Sequence, residues 1–302
     1  QVESSDLFSP KGGMYVVGAV STNTGPTTST WVGYQYSGLL MNKQGRGSLG
    51  FYSLKTTDYG TCDSTIIFTN ELGPDGELVH GERVAETTDN CVTTESFYSQ
   101  EFPYVGMPIR TVQKRGTKTL SDSKNELHYI STADGAIFPY IKKTNETSYG
   151  LSDTFATQYT LGHIQSEFVY DEYGNLENST VYSSSSSTPS TGSNRHVTET
   201  TNTYRDGDSD KYKRKGRLET VTAKKSVYKN GSAISSSTRK TQFEYYNRTD
   251  DASMMLKKEI ISPNDSKYKS EKIYEYDVWG NKVKETADSP AMAEQRHSIT
   301  TF

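Results

Sequence analysis

The sequence predicts an all-β protein of repeated antiparallel hairpins forming a large curved sheet, and three observations predict it. Helical patterning, with apolar residues at i, i+3, i+4 and i+7, is almost absent along the 302 residues. Short runs rich in Val, Ile, Thr, Tyr and Phe are instead punctuated by clusters of Gly, Asn, Asp and Ser. One phrase is also written twice, as Tyr170-Asp171-Glu172-Tyr173-Gly174-Asn175 and as Tyr276-Asp277-Val278-Trp279-Gly280-Asn281. A catalytic loop rarely needs two copies, whereas a building block does.

Composition sets the kind of core. Only 32% of the chain is hydrophobic and the mean hydropathy is −0.76, which alone would suggest disorder. The 22 tyrosines argue against that, because Tyr and the β-branched residues suit a half-buried pleated surface. The expectation is extended β structure with a thin or two-faced core. A net charge of −4 and a pI near 5.8 give no reason to expect a nucleic-acid partner. No apolar run reaches the eighteen or so residues that a membrane-spanning helix requires. The chain opens on Gln1 without a signal-peptide pattern, so it reads as an excised or processed piece.

Taken in order, strands are expected at Met14–Val20, Thr65–Thr69, Glu126–Ile130, Arg217–Thr222 and Thr241–Tyr245. Cys62 and Cys91 flank a turn signal at Gly73-Pro74-Asp75-Gly76. They could be bonded across a long hairpin or stand as two buried thiols, and both readings stay open; a metal site is disfavoured without CxxC spacing. Ser183–Ser193 is low in complexity and is expected to be a mobile loop tip. Pro290–Gln295 is at most one helical turn in a loop. Strand-ending aromatics fall at Tyr170, Tyr204, Tyr245 and Tyr276, an irregular repeat whose units bury their faces on neighbours. Arg296–Phe302 opens a further unit. The division is residues 1–165, a connector segment, and residues 166–302, the repeat hairpins, within one continuous sheet.

The repeated phrase has a physical meaning. A strand ends on Tyr, Asp and Gly-Asn form the turn, and a second strand leaves through Leu176 or Val283. An Asp side chain can bond turn amides, and Gly and Asn tolerate positive φ. The aromatics offer each hairpin a flat surface to stack on the next.

These hairpins resemble the tyrosine-aspartate (YD) repeats of Rhs proteins. The N-terminal half narrows the resemblance. Tyr34-Gln35-Tyr36-Ser37-Gly38, Gly45-Arg46-Gly47-Ser48-Leu49-Gly50-Phe51 and Tyr98-Ser99-Gln100-Glu101-Phe102-Pro103-Tyr104-Val105-Gly106-Met107-Pro108 are similar to a series in the B components of bacterial insecticidal toxin complexes and virulence-plasmid B-type proteins. There the series joins a propeller-like region to the Rhs shell. The resemblance runs in order over nearly the whole chain. It implies a sheet spiralling into a hollow shell that encloses a toxic C-terminal polypeptide, released through a protease-like region at the far end. Implied partners are the rest of that shell, its cargo and a pore-forming or injection component, with a secreted or cell-surface location. The chain lacks an upstream propeller, an autoproteolysis segment and a toxin segment, and its stretch from Phe51 to Tyr98 is longer than usual.

Chemistry is sparse beside this. His80, His128, His163, His196 and His297 form no metal-ligand spacing, and there is no nucleophile elbow or phosphate loop. Asp171 and Asp277 invite a paired-carboxylate glycosidase or protease reading, but equivalent repeat positions need not converge and turn chemistry accounts for both. Asp206-Gly207-Asp208-Ser209-Asp210 looks like part of a calcium loop. It lacks the downstream Glu and abuts the basic Lys211-Tyr212-Lys213-Arg214-Lys215, so a solvated turn is expected. Sequons such as Asn145-Glu146-Thr147 and Asn247-Arg248-Thr249 are expected by chance. No enzyme activity and no cofactor is expected, and the alternatives are a surface module binding glycan or protein and, further off, a glycosidase.

Overall fold

The computed structural model describes residues 7–10, 15–25, 29–45, 47–62, 71–72, 78–79, 90–131, 135–152, 157–205, 216–247, 254–288 and 297–301. Outside them lie Arg46, His80, the expected strand at 65–69, the turn at 73–76, the charged runs at 206–215 and the stretch 290–296. Among the described residues the secondary structure is β apart from one 3-10 turn, Tyr59–Thr61.

The strands are β1 (Leu7–Phe8), β2 (Ala19–Asn23), β3 (Ser29–Ser37), β4 (Leu40–Asn42), β5 (Gly47–Gly50) and β6 (Ser53–Asp58). There follow β7 (Glu71–Leu72), β8 (Leu78–Val79), β9 (Val92–Tyr98), β10 (Pro108–Arg115), β11 (Lys118–Ser131), β12 (Ile137–Leu151) and β13 (Gln158–Tyr170). The last eight are β14 (Leu176–Ser184), β15 (Arg195–Tyr204), β16 (Leu218–Lys229), β17 (Ser232–Tyr245), β18 (Leu256–Ile261), β19 (Ser270–Tyr276), β20 (Lys282–Asp288) and β21 (His297–Thr301). Sixteen form one antiparallel sheet in the order β2-β3-β6-β9 and then β10 to β21 consecutively. The all-β hairpin fold is thus as expected. The expected strand at 14–20 begins only at Ala19; before it, Gly18 O accepts from Tyr34 N at 2.7 Å.

Backbone proximity divides the chain into two compact units, Gln1–Leu127 with Pro139–Gly162, and His128–Phe138 with His163–Phe302. In the first, the buried residues include Leu49, Ser53, Cys91, Val112 and Tyr140. In the second they include Gln165, Val197, Ser226 and Ile260. Both cores are thin, as a 32% hydrophobic chain dictates.

The second core depends on the serine-rich stretch. Gln165, Tyr182, Val197 and Ser226 lie directly opposite one another on successive strands and so share a face. Residues 185–194 fold against it, with Pro189 and Gly192 buried. Ser190 Oγ donates to Gln165 Oε1 at 3.3 Å, and the Arg195 guanidinium stacks 3.9 Å over the Tyr228 ring while bonding Gly192 O. The stretch expected to be a loop tip is thus a folded turn packed on the sheet. Ser184 Oγ donates to Asn194 O at 2.6 Å, and Thr191 N and Gly192 N both donate to Thr188 O, so the stretch closes on its own polar groups.

Candidate functional site

The repeated motif builds a corner whose two copies are the same atom for atom. Asp171 Oδ1 accepts from Tyr173 N at 2.9 Å and Asn175 N at 2.8 Å, while Oδ2 accepts from Asn175 Nδ2 at 2.8 Å. Asp277 does the same with Trp279 N, Asn281 N and Asn281 Nδ2 at 2.9, 2.8 and 3.0 Å. Backbone bonds from Gly174 N to Asp171 O and from Gly280 N to Asp277 O complete the two turns. Gly174 and Gly280 take φ of 82° and 85°, the left-handed region where glycine carries no Cβ penalty. The side-chain bond from Asn281, with the turn amides, holds the Asp277 carboxyl below the usual range. Both carboxylates are spent on turn amides.

The corner extends beyond the two copies. The ladder shifts register at the strand-ending tyrosine in all four hairpins: at Val169/Tyr170, Thr203/Tyr204, Glu244/Tyr245 and Glu275/Tyr276. Such a bulge turns the tyrosine out of the regular alternation. Tyr204 Oη then donates to Leu176 O and Tyr245 Oη to Leu218 O, each at 2.8 Å. Each acceptor opens the return strand of the preceding hairpin. Burial pushes both phenols up, which keeps them protonated as donors.

The glycines make the same backward step. A Cβ on Gly174 would lie 3.4 Å from the Phe138 ring, one on Gly216 would lie 2.8 Å from Asn175 Oδ1, and one on Gly280 would lie 2.9 Å from Met255 Cε. Tyr170 packs on Phe138 at 5.4 Å between ring centroids, and Tyr276 on Tyr246 at 6.3 Å. The expected aromatic stacking therefore falls to the strand-ending tyrosines. Trp279, before its glycine, is 84% exposed.

The first two N-terminal motifs are joined by Gln100 of the third, a residue to which the sequence alone assigns no role. Gln100 Nε2 donates to Gly38 O at 2.6 Å and to Gly50 O at 2.8 Å. Gly45, Gly47 and Gly50 all have positive φ, and Tyr36 packs on Phe51 at 4.9 Å. The Phe102–Pro108 segment forms a compact turn with a cis Phe102–Pro103 bond, closed by Met107 N to Tyr104 O and Gly106 N to Ser99 O. The Tyr98–Pro108 motif contains this Gln, but nothing local in it names the two distant acceptors. Cys62 and Cys91 are joined by a disulfide across the end of the β6–β9 pair, where Thr61 Oγ1 also accepts from Val92 N. Among the described residues no group of three or more His, Cys, Asp or Glu side chains could hold a metal ion, and no helix is long and apolar enough to cross a membrane.

No protein-family model matches the sequence, and no curated protein matches it. Solved structures do. A Tc holotoxin pore of Photorhabdus luminescens is similar over 81% of this chain and 15% of that one, at 7% identity and a TM-score of 0.51. A TcdB2–TccC3 complex is similar over 82% of this chain and 16% of that one, at 7% identity and a TM-score of 0.49. The same complex with Cdc42 is similar over 77% of this chain at 8% identity. The chain thus spans about 15% of the length of the holotoxin chain it matches. The likeness is one of fold: this chain and a segment of that holotoxin chain share an all-β architecture.

Proposed function

We propose that this chain is a wall segment of an Rhs-type shell, with a mechanical and non-enzymatic role in enclosing a toxic polypeptide in a secreted bacterial toxin system. The observation that carries the proposal is the backward-resting corner. Each hairpin hydrogen-bonds its tyrosine, or seats its glycine, on the hairpin before it. Such a unit extends a sheet with few free strand edges, as a wall requires. The fold likeness to a holotoxin chain supports the same reading. The partners would be the rest of the shell, its cargo and a pore-forming or injection component.

The test is to purify the natural polypeptide that carries these residues and run it native and denatured, with limited proteolysis and mass spectrometry on every band. A separate, protease-protected fragment that co-migrates natively and parts only on denaturation is expected. A single polypeptide that is digested uniformly from the native state would overturn containment. One feature favours a second reading, a surface module recognising glycan or protein: the 84% exposed Trp279 at a turn tip. That reading requires saturable binding by this chain that Trp279→Ala removes.

A further inference from the structure

We propose that the free edge of β17, Ser235–Arg239, is a docking site for an extended, acidic polypeptide strand of a partner protein. The proposal goes beyond the containment reading and does not depend on it. β16 pairs with β17 along its length, from Thr220↔Gln242 to Lys229↔Ser232. β18 reaches only Thr241–Tyr245, and Ser262 N closes the step by donating to Lys240 O at 2.7 Å. Among the described residues, no strand pairs with the outer edge of 232–239, and every one of these residues is exposed.

Edges of this kind are usually blunted by charge, proline or a bulge. A bulge falls at Ile234, where the register shifts between Val227 and Tyr228. Beyond it, Ser235-Ser236-Ser237-Thr238 is regular, uncharged and free of proline. Its side chains are small, so a backbone can approach closely.

Charge selects the occupant. Between Thr222 and Lys240 there is no Asp or Glu, while Lys224, Lys225, Lys229, Arg239 and Lys240 all lie in this ribbon of a chain whose net charge is −4. Lys225 pairs opposite Ser237, so it shares a face with Arg239; Lys224, opposite Thr238, shares the other face with Lys240. Glu199 holds Lys224 at 3.4 Å, and among the described residues no carboxylate pairs with the other four cations. An added strand sets its side chains alternately on the two faces, so acidic residues on either face would meet a cation. A second copy of this edge would set cation against cation, which disfavours self-pairing.

The test uses the full chain and synthetic eleven-residue peptides of alternating Thr and Glu, the Thr-Lys counterpart, and the Thr-Glu peptide N-methylated at every amide, which leaves neither edge a backbone donor. Anisotropy titration is read beside amide hydrogen exchange at 235–239. The Thr-Glu peptide should bind and protect those amides, and the Thr-Lys peptide should not. N-methylation, or the variant Lys225→Glu/Arg239→Glu, should weaken binding about tenfold. Both substituted side chains are exposed, so the variant is expected to fold, checked by circular dichroism. Equal binding of the N-methylated peptide would reduce the effect to charge alone and overturn strand addition. Binding untouched by the double variant would overturn the site. Single-stranded DNA of twenty nucleotides binding more tightly than the peptide would assign the ribbon to nucleic acid and overturn the proposal as well.

Discussion

Gly174 and Gly280 make the sharpest prediction, because their φ values of 82° and 85° leave each substitution a calculable cost. At Gly174 a valine must enter the left-handed region, at about 1–2 kcal/mol. Its Cβ meets the Phe138 ring at 3.4 Å, and the γ-methyls crowd a ring already packed on Tyr170, adding about 1–3 kcal/mol. Reduced freedom of the unfolded chain returns about 0.4–1 kcal/mol. The net loss for Gly174→Val is about 1–5 kcal/mol. Gly174→Asn should lose about 0–1 kcal/mol, because Asn visits the same region far more readily. At Gly280 the neighbour is the flexible end of Met255, 2.9 Å away, which can swing aside. Gly280→Val should therefore cost about 1 kcal/mol less than Gly174→Val. A chain of 302 residues need not unfold in one step, so the assay is native-state hydrogen exchange of the corner amides. Equal protection in the Val and Asn variants of Gly174 would refute the reasoning.

The Arg110 guanidinium, 2.8 Å from both carboxylate oxygens of Asp122, holds that carboxyl below its ordinary value. The folded pKa is depressed, so this stability is present above about pH 4 and is lost as pH falls through the folded value. Arg110 is 44% exposed, which limits the term to about 0.5–1 kcal/mol. Urea midpoints at pH 6 and pH 3 should converge in Arg110→Gln, and an unchanged gap between them would count against it. Burial first, and the Glu259 carboxylate next, pushes the Tyr274 phenol up to about 12. That favours the neutral folded form, so its stability is complete below about pH 10 and is lost as pH rises toward 12. Tyr274→Phe should make alkaline unfolding shallower across that window. The disulfide closes a sequence separation of 29 residues, so Cys62→Ser/Cys91→Ser should lose about 2–4 kcal/mol in a denaturant melt. A loss below 1 kcal/mol would mean that the unfolded chain is not constrained by the link.

The fold class was legible because strand and turn chemistry are local. Tyr-Asp-x-aromatic-Gly-Asn names its donors, its acceptor and its positive-φ residue within six positions. Partners set by register were not legible. That Tyr204 reaches Leu176 depends on a bulge at Thr203/Tyr204, and nothing in Asn-Thr-Tyr-Arg marks one. The role of Gln100 was hidden for the same reason, since its two carbonyl acceptors lie 62 and 50 residues away in sequence. The packing of the serine-rich stretch was not legible because low complexity names no partner, while Pro189 is buried and Ser190 bonds a buried glutamine 25 residues back. Its hydroxyls are short enough to satisfy one another without leaving the loop.

The corner also has a direction. Asn175 does two jobs: its Nδ2 donates to Asp171 in its own turn, and its Oδ1 lies where a side chain on Gly216 of the next hairpin would sit. Tyr204 likewise takes its acceptor from the return strand that Leu176 opens, one hairpin earlier. In both cases the earlier hairpin supplies the seat and the later one occupies it. A corner closed by Asp171 is thus a precondition for the next corner and not merely its neighbour, and stability accumulates as nearest-neighbour terms along the sheet. Removing the Asp171 carboxylate should accordingly loosen two places, its own turn and the Gly216 turn. Truncating Tyr204 should spare the Asp171 turn. Exchange rates at Gly174 and Gly216 amides in Asp171→Ala and Tyr204→Phe separate a directional ladder from independent hairpins, in which each substitution would be felt only where it is made.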